Sequence, residues 1–387
     1  MKNWGVIWLT IILLFLAINV IYKANSKNLN CLSEPIKIEY THLDSQINKT
    51  KIPYFYFNPC YFSKDTYAIR QTLIGFNNFY KELASSDAMD KLKHHNNVVL
   101  VVNGQVKKII YGAEDPRFFQ HNNKLYLFIS KVHFEDWVKK EEFNFLKHWN
   151  LKPCIYDIQN DKIIEIKGEK FFKEEKSWIA IESCSNSSDN FVHFIYSFDE
   201  MSIIRVNILN GNAQFLNKNE ETKQPTPGIE NIFEYKELYP SFLYRGSTNF
   251  IYCKKLESYI SIIHTKDLFM SYYHHFILIP EKVLKELCSG KEISINSDLI
   301  KISQPFKFDK NQVSCISYST TIEYFVQFCT SLRLEEESSG QSPPGGWLAT
   351  TPSIIIIDYC NNDSVNYKMH LDLDHVLDFI EPQIGVF

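Results

Sequence analysis

Apolar, β-branched and aromatic residues gather along this chain in short runs, each followed by Asn, Gly, Asp or Lys turns. The runs lie at Asn96 to Gly104, Lys124 to Ile129, Ile155 to Ile158, Ile163 to Ile166, Phe191 to Phe198, Ile203 to Leu209, Phe250 to Cys253, Tyr259 to His264 and Phe276 to Ile279. Others follow at Val313 to Ser317, Glu323 to Phe328 and Ser353 to Asp358. Short strands between turn signals predict an antiparallel all-β fold and argue against alternating β/α units. Landmark turns fall at Asn58, Asp115, Lys176, Arg245 and Asp363, with a β-rich segment after each of the first four. So long a period per sheet suits the blades of a β-propeller, although no strict repeat is visible. A helix is expected around Phe79 to Leu92, and the Ser/Gly/Pro-rich stretch Leu334 to Trp347 reads as an exposed loop.

One run departs from this pattern. Residues Trp4 to Tyr22 are uncharged, long enough to cross a bilayer as a helix, and aromatic at both ends. The run is read as an uncleaved membrane anchor; the rival, a cleaved signal peptide, has a shorter apolar core and a small-residue cleavage site that is not evident here. Lysines flank both ends, so orientation is open. The domain plan is therefore an anchor over 1–22, a polar stem over 23–52 and an all-β, propeller-like domain over 53–387. Three Asn-x-Ser/Thr triplets, at Asn48, Asn186 and Asn362, matter only in a lumenal protein. With the anchor they suggest a single-pass, type II protein of the Golgi or secretory pathway.

Of the 387 residues, 45% are hydrophobic and 15% aromatic, which excludes a disordered chain. A net charge of -4 without a basic run gives no footprint for nucleic acid. Nine cysteines are scattered without a C-x-x-C pair, so no zinc site is expected, and an odd number resists a complete disulfide framework.

The densest chemistry is Tyr111-Gly112-Ala113-Glu114-Asp115-Pro116-Arg117-Phe118-Phe119, which places two carboxylates and a guanidinium within four residues just before a strand. Pro116 is expected to hold Asp115 extended, so that Asp115 and Arg117 point the same way. One carboxylate would then work while its neighbour holds the frame. A plain turn, with Arg117 pairing to Glu114 at the surface, is the other reading.

Phe57-Asn58-Pro59, Arg70, Gly112 to Arg117, Lys176-Ser177-Trp178, Arg245-Gly246-Ser247-Thr248, Tyr259 to His264 and Tyr359 to Asp363 occur in that order. The series resembles the five-bladed propeller family of β-mannoside phosphorylases and hydrolases, with its related mannosyltransferase/phosphorylases. The resemblance implies that Asp115 is the general acid that protonates the glycosidic oxygen, with Glu114 favouring its protonated form. It also implies a phosphate site among Arg70, Arg117, Lys176, Arg245 and His264, because guanidinium groups suit phosphate oxygens. Asn58 and Asp363 complete the implied sugar and phosphate contacts. The family's glycine-rich ending is here Tyr359-Cys360-Asn361-Asn362-Asp363, which weakens the transfer to Asp363. Tyr272-Tyr273-His274-His275, His193 and Trp178 fit either ligand contact or core packing.

The expected activity is that of a membrane-anchored carbohydrate-active enzyme, with a glycosyltransferase or glycoside phosphorylase favoured by the anchor. In a transferase Asp115 would serve as base on the acceptor hydroxyl. No metal or resident cofactor is expected; phosphate, a nucleotide sugar or a sugar phosphate would be the co-substrate, and a glycan the partner. The alternatives are a hydrolase, with Glu114, Glu175 or Asp363 activating water, and a non-catalytic sugar-binding propeller.

Overall fold

The computed structural model describes residues 30–31, 36–37, 56–72, 96–133, 150–168, 177–182, 190–199, 201–216, 244–266, 272–308, 327–336, 353–361 and 365–380. These residues form five β-sheets that follow one another along the chain as the blades of a propeller.

The first blade holds β3 (Tyr56–Tyr61), β4 (Tyr67–Thr72), β5 (Asn96–Val102) and β6 (Gln105–Tyr111), in that order. The second runs from β7 (Ala113–His121) through β8 (Lys124–His133) and β9 (Asn150–Asp157) to β10 (Lys162–Glu165). The third holds β11 (Ile179–Ile181), β12 (Phe191–Ser197), β13 (Ser202–Asn207) and β14 (Ala213–Phe215). In the fourth, β15 (Arg245–Gly246) and β16 (Ile251–Cys253) both pair with β17 (Ser258–Lys266), which pairs with β18 (Tyr272–Pro280). Two short strands, β19 (Lys301–Ile302) and β20 (Phe306–Lys307), complete its outer side, and β1 (Asn30–Cys31) lies parallel to β20.

The fifth blade takes β21 (Gln327–Glu336), β22 (Ser353–Asn361) and β23 (Val365–Asp372) from the end of the chain and β2 (Ile36–Lys37) from its beginning. The β2–β23 pairing closes the ring of blades with a strand from the opposite end of the sequence. Both β1 and β2 fall inside the segment that the sequence reads as a stem.

Residue patterns explain each strand's place. β5 reads NNVVLVV and is buried on both faces, as an inner strand of a stacked sheet must be. Its neighbour β6, QVKKIIY, is exposed over its first half and carries Lys107 and Lys108, which protects a sheet edge from further pairing. The two-residue hairpin between them is Asn103-Gly104, with φ of 52° and 72°, and Asn122-Asn123, with φ of 50° and 58°, turns β7 into β8 in the same way. Positive φ at both central residues marks the primed turns that match strand twist.

The core is a series of layers between blades. Blades one and two share Ala68, Val98 and Leu100 with Phe118, Leu127 and Ile129. Phe119 and Phe128 meet Val192 and Phe194 between blades two and three. Ile179 and Ile195 meet Ile263 and Ile277 next, joined there by α1 (Glu281–Cys288) through Val283, Leu284 and Leu287. Between blades four and five Ile260 and Phe276 meet Ile355, Ile357 and Tyr359, with α2 (Leu373–Ile380) packed on the same layer.

Among the described residues, no helix is long and apolar enough to cross a membrane. The expected anchor, the expected helix at 79–92, the three glycosylation triplets and the expected strand at 313–317 lie outside the described residues. The loop expected from Leu334 begins later, since β21 runs to Glu336.

Candidate functional site

The site is assembled where the chain passes from the first blade to the second. β6 ends at Tyr111, Gly112 turns with φ of 66°, and β7 starts at Ala113. The register between β7 and β8 then slips between Glu114 and Arg117, so that β7 carries one more residue than its partner. This is a β-bulge, a device that re-aims side chains next to functional sites. Asp115 sits in it with φ of 51°, in the left-handed region, and the extended conformation expected before Pro116 is not adopted. The local preference of a pre-proline residue yields here to the tertiary contact that the bulge permits.

That contact is with Arg70. In a regular strand consecutive side chains point to opposite faces, but here Glu114 and Asp115 meet the same guanidinium. Arg70 Nη1 donates to Asp115 Oδ1 at 3.0 Å and Nη2 lies 3.3 Å from Glu114 Oε2. Both carboxylates are buried, with 6% of each side chain exposed, against 19% for Arg70. The shared cation offsets charge that the two carboxylates would otherwise press on each other. The other reading, a plain turn at the surface, does not hold: Glu114 and Asp115 are buried and share Arg70.

Arg117 reaches across to another blade. Its Nη2 donates to the backbone oxygen of Gly246 at 3.1 Å, joining the inner strand of blade two to the inner strand of blade four. Gly246 has no room for a side chain: a Cβ there would lie 2.5 Å from Cγ1 of Ile179, which opens β11 of blade three, and 2.6 Å from the oxygen of Ser177, just before that strand. Three blades therefore converge on this glycine.

The residues after Gly246 fix a second group. Ser247 Oγ and His264 Nδ1 are 2.7 Å apart and both side chains are buried. Thr248 Oγ1 accepts from the Ile262 backbone N–H at 3.0 Å and meets Ser261 Oγ at 3.1 Å. The Arg-Gly-Ser-Thr motif thus clasps β17 with its hydroxyls and holds His264, whose backbone pairs with Arg245.

The structure places the predicted site residues as follows. Arg70, Glu114 and Asp115 form one buried cluster; Arg117 is tied across to Gly246, and His264 to Ser247. Asn58 pairs with Arg70 in the β3–β4 ladder, which places its backbone beside the cluster. Arg245 is half-buried at the start of β15. Lys176, Glu175 and Asp363 lie outside the described residues.

Trp178 is a core residue: it is buried and stacks on Phe128 with ring centroids 5.6 Å apart. His193 is buried in β12 opposite Ile181 and Arg205. His274 is buried against Phe308, and burial, helped less by neighbouring His275, lowers its pKa to about 3. His275 is also lowered by burial, opposed by its bond to the Ser303 oxygen.

Asn96 and Thr72 join the acidic cluster without having been predicted. Asn96 Nδ2 donates to Glu114 Oε2 at 2.7 Å, while its Oδ1 accepts from Thr72 Oγ1 at 2.9 Å and Arg70 Nε at 3.4 Å. Two amides, Asn96 and Asn97, opening an otherwise apolar strand were the available signal. Asn97 Oδ1 accepts from the Gly112 N–H at 3.2 Å and so supports the turn into β7.

No protein-family model matches this chain, and no curated protein does. Solved structures with a similar arrangement include a thermostable family-43 glycoside hydrolase, at 8% identity and TM-score 0.34, covering 82% of this chain and 89% of that one. An α-L-arabinofuranosidase from Lactobacillus brevis gives 7% identity and TM-score 0.36 with the same coverage of 82% and 89%. The family 43 glycoside hydrolase YxiA of Bacillus licheniformis gives 12% and 0.28, covering 82% and 70%. Identities this low and TM-scores below 0.5 leave the chemistry to be argued from this chain's own residues.

Proposed function

We propose that this protein is a carbohydrate-active enzyme that breaks or forms a glycosidic bond, with Asp115 as its proton-exchanging carboxyl. The observation that carries the reading is the bulge at Asp115, where a left-handed backbone delivers a buried carboxylate to Arg70 at 3.0 Å. Strain of this kind costs on the order of 1–3 kcal/mol and tends to persist at active sites. The motif's resemblance to propeller phosphorylases and hydrolases supports the same assignment. As general acid Asp115 would protonate the departing glycosidic oxygen; in the reverse direction it would take the proton of an acceptor hydroxyl.

Two destinations for the glycosyl group differ in what they need from the site. Transfer to phosphate, or from a sugar phosphate, is favoured by the basic side chains Arg70, Arg117 and Arg245, because guanidinium groups suit an oxyanion. Hydrolysis, in which water takes the glycosyl group, would need a second carboxylate facing Asp115 across the scissile bond. The apolar run at 4–22 and the disulfide-bonded Cys288 support placement in an oxidising, membrane-bounded compartment.

The test is a panel of p-nitrophenyl glycosides given to the detergent-solubilised full chain, with and without inorganic phosphate. Nitrophenol release that requires Asp115 supports the proposal. Phosphate dependence selects phosphorolysis, and independence selects hydrolysis. Release at the same rate from Asp115→Asn overturns the assignment.

A further inference from the structure

Asn96 stands at the start of β5, 2% exposed, and touches three members of the acidic cluster from a different strand. Its amide is engaged from both ends. The oxygen accepts from Thr72 at 2.9 Å and from Arg70 Nε at 3.4 Å, and the nitrogen donates to Glu114 at 2.7 Å. Because donors lie on one side and an acceptor on the other, the amide has one orientation.

The consequence reaches Asp115 through Arg70. Glu114 Oε2 receives both Asn96 Nδ2 and Arg70 Nη2, so Asn96 holds Glu114 against one edge of the guanidinium. Arg70 Nε is held by the same amide oxygen, and Nη1 is thereby directed to Asp115. A planar guanidinium fixed along one edge has little freedom left at the other.

We propose that Asn96 is a positioning residue, which sets the orientation of Arg70 against Asp115 by tying Glu114 and the Arg70 Nε to one amide. This rests on the reading of Asp115 as the proton-exchanging carboxyl and gives Glu114 a role in holding the frame.

Reversing the hydrogen bond tests it. Asn96→Asp keeps the shape and the acceptor side, but turns the donor facing Glu114 into a second carboxylate oxygen. With the best glycoside of the panel, kcat is expected to fall by about 10²-fold, the scale of an ångström-sized misplacement, while KM stays within a small factor. Adding Glu114→Gln to that variant exchanges donor and acceptor and restores the bond to residue 96, but gives up the contact of the same Glu114 oxygen with Arg70, so kcat is expected to recover part of the loss. Melting temperatures are measured on the same proteins.

Recovery of the melting temperature without recovery of kcat makes Asn96 merely structural and overturns the proposal. So does loss of turnover in Glu114→Gln alone equal to that in Asp115→Asn, because Glu114 would then be a reacting carboxylate. If Asn96→Asp does not fold, Thr72→Val, which removes one donor to the Asn96 oxygen, takes its place: lower kcat at unchanged KM supports the proposal, and unchanged kcat overturns it. Wild-type turnover that is absent, or that survives Asp115→Asn, overturns the underlying reading and this inference with it. Asp115-dependent turnover with a failed reversal overturns the inference alone.

Discussion

Gly246→Ala is expected to loosen the protein through a single methyl group. The added Cβ would stand 2.5 Å from Ile179 Cγ1, 2.6 Å from Ile179 Cδ1 and 2.6 Å from the Ser177 carbonyl oxygen. Carbon atoms in favourable contact lie about 3.5–4.0 Å apart, so at least two neighbours must retreat by about 1 Å. The Ile179 side chain can rotate away only within a fully buried layer, and the Ser177 oxygen is backbone. Overpacking of this kind typically costs about 1–3 kcal/mol. Domains of 150–250 residues lose about 2–4 °C of Tm per kcal/mol, and a longer chain somewhat less, so a fall of several degrees is expected. Displacing β15 should also stretch the 3.1 Å bond from Arg117, lowering activity beyond what the melting shift alone explains. Ile179→Ala in the same chain removes two of the three close contacts and should recover part of the loss, a non-additive result expected only of residues in contact. The assay is thermal unfolding of the four proteins of this cycle. An unchanged Tm in Gly246→Ala, or strict additivity with Ile179→Ala, refutes the reasoning.

Other variants probe buried polar groups. His274 is neutral in the fold, with its pKa lowered to about 3 by burial, so the unfolded chain binds its proton first and stability should fall as pH drops from about 6.5 towards 3. Between pH 6.5 and 5 this one group is worth on the order of 2 kcal/mol, and His274→Leu should flatten the dependence of Tm on pH over that window; an unaltered slope would count against it. Gln71 is fully buried, and among the described residues neither end of its amide has a hydrogen-bond partner. Replacing such a group with an apolar one of similar size removes a desolvation cost of about 1–3 kcal/mol, so Gln71→Leu should match or exceed the wild-type Tm; a marked fall would show that the amide is used. Cys60, whose thiol is pushed up to about 11 mainly by burial, should resist alkylation at pH 8 until the chain unfolds.

The strands were legible because their residues obey local rules. The runs at 191–198, 203–209 and 259–264 fall on β12, β13 and β17, and all are β-branched or aromatic segments bounded by turn residues. The edge strand β6 was not, because its Gln-Val-Lys-Lys opening reads as a solvated turn when the neighbour that pairs with it is unknown. The strands β1 and β2 were hidden for a related reason: two residues each, they are strands only because distant edges at β20 and β23 accept them.

The acidic cluster was half legible. Glu114, Asp115 and Arg70 stood out as charges, but the conformation expected at Asp115 came from a two-residue rule that the bulge overrides. Asn96 and Gly246 carry no charge, although one ties the cluster together and the other offers its carbonyl to Arg117 and leaves room for Ile179.

The central claim is that Asp115 exchanges the proton of a glycosidic bond. Its most direct test is the rate of glycoside turnover by Asp115→Asn beside wild type, both checked for an unchanged melting curve and for retained ligand binding. The amide is nearly the same shape but cannot exchange a proton, and loss of general acid or base action typically costs about 10²- to 10⁴-fold. The account predicts a fall of that size in kcat with binding largely kept. Wild-type turnover in Asp115→Asn would contradict it, and would leave the carboxylate as a structural partner of Arg70.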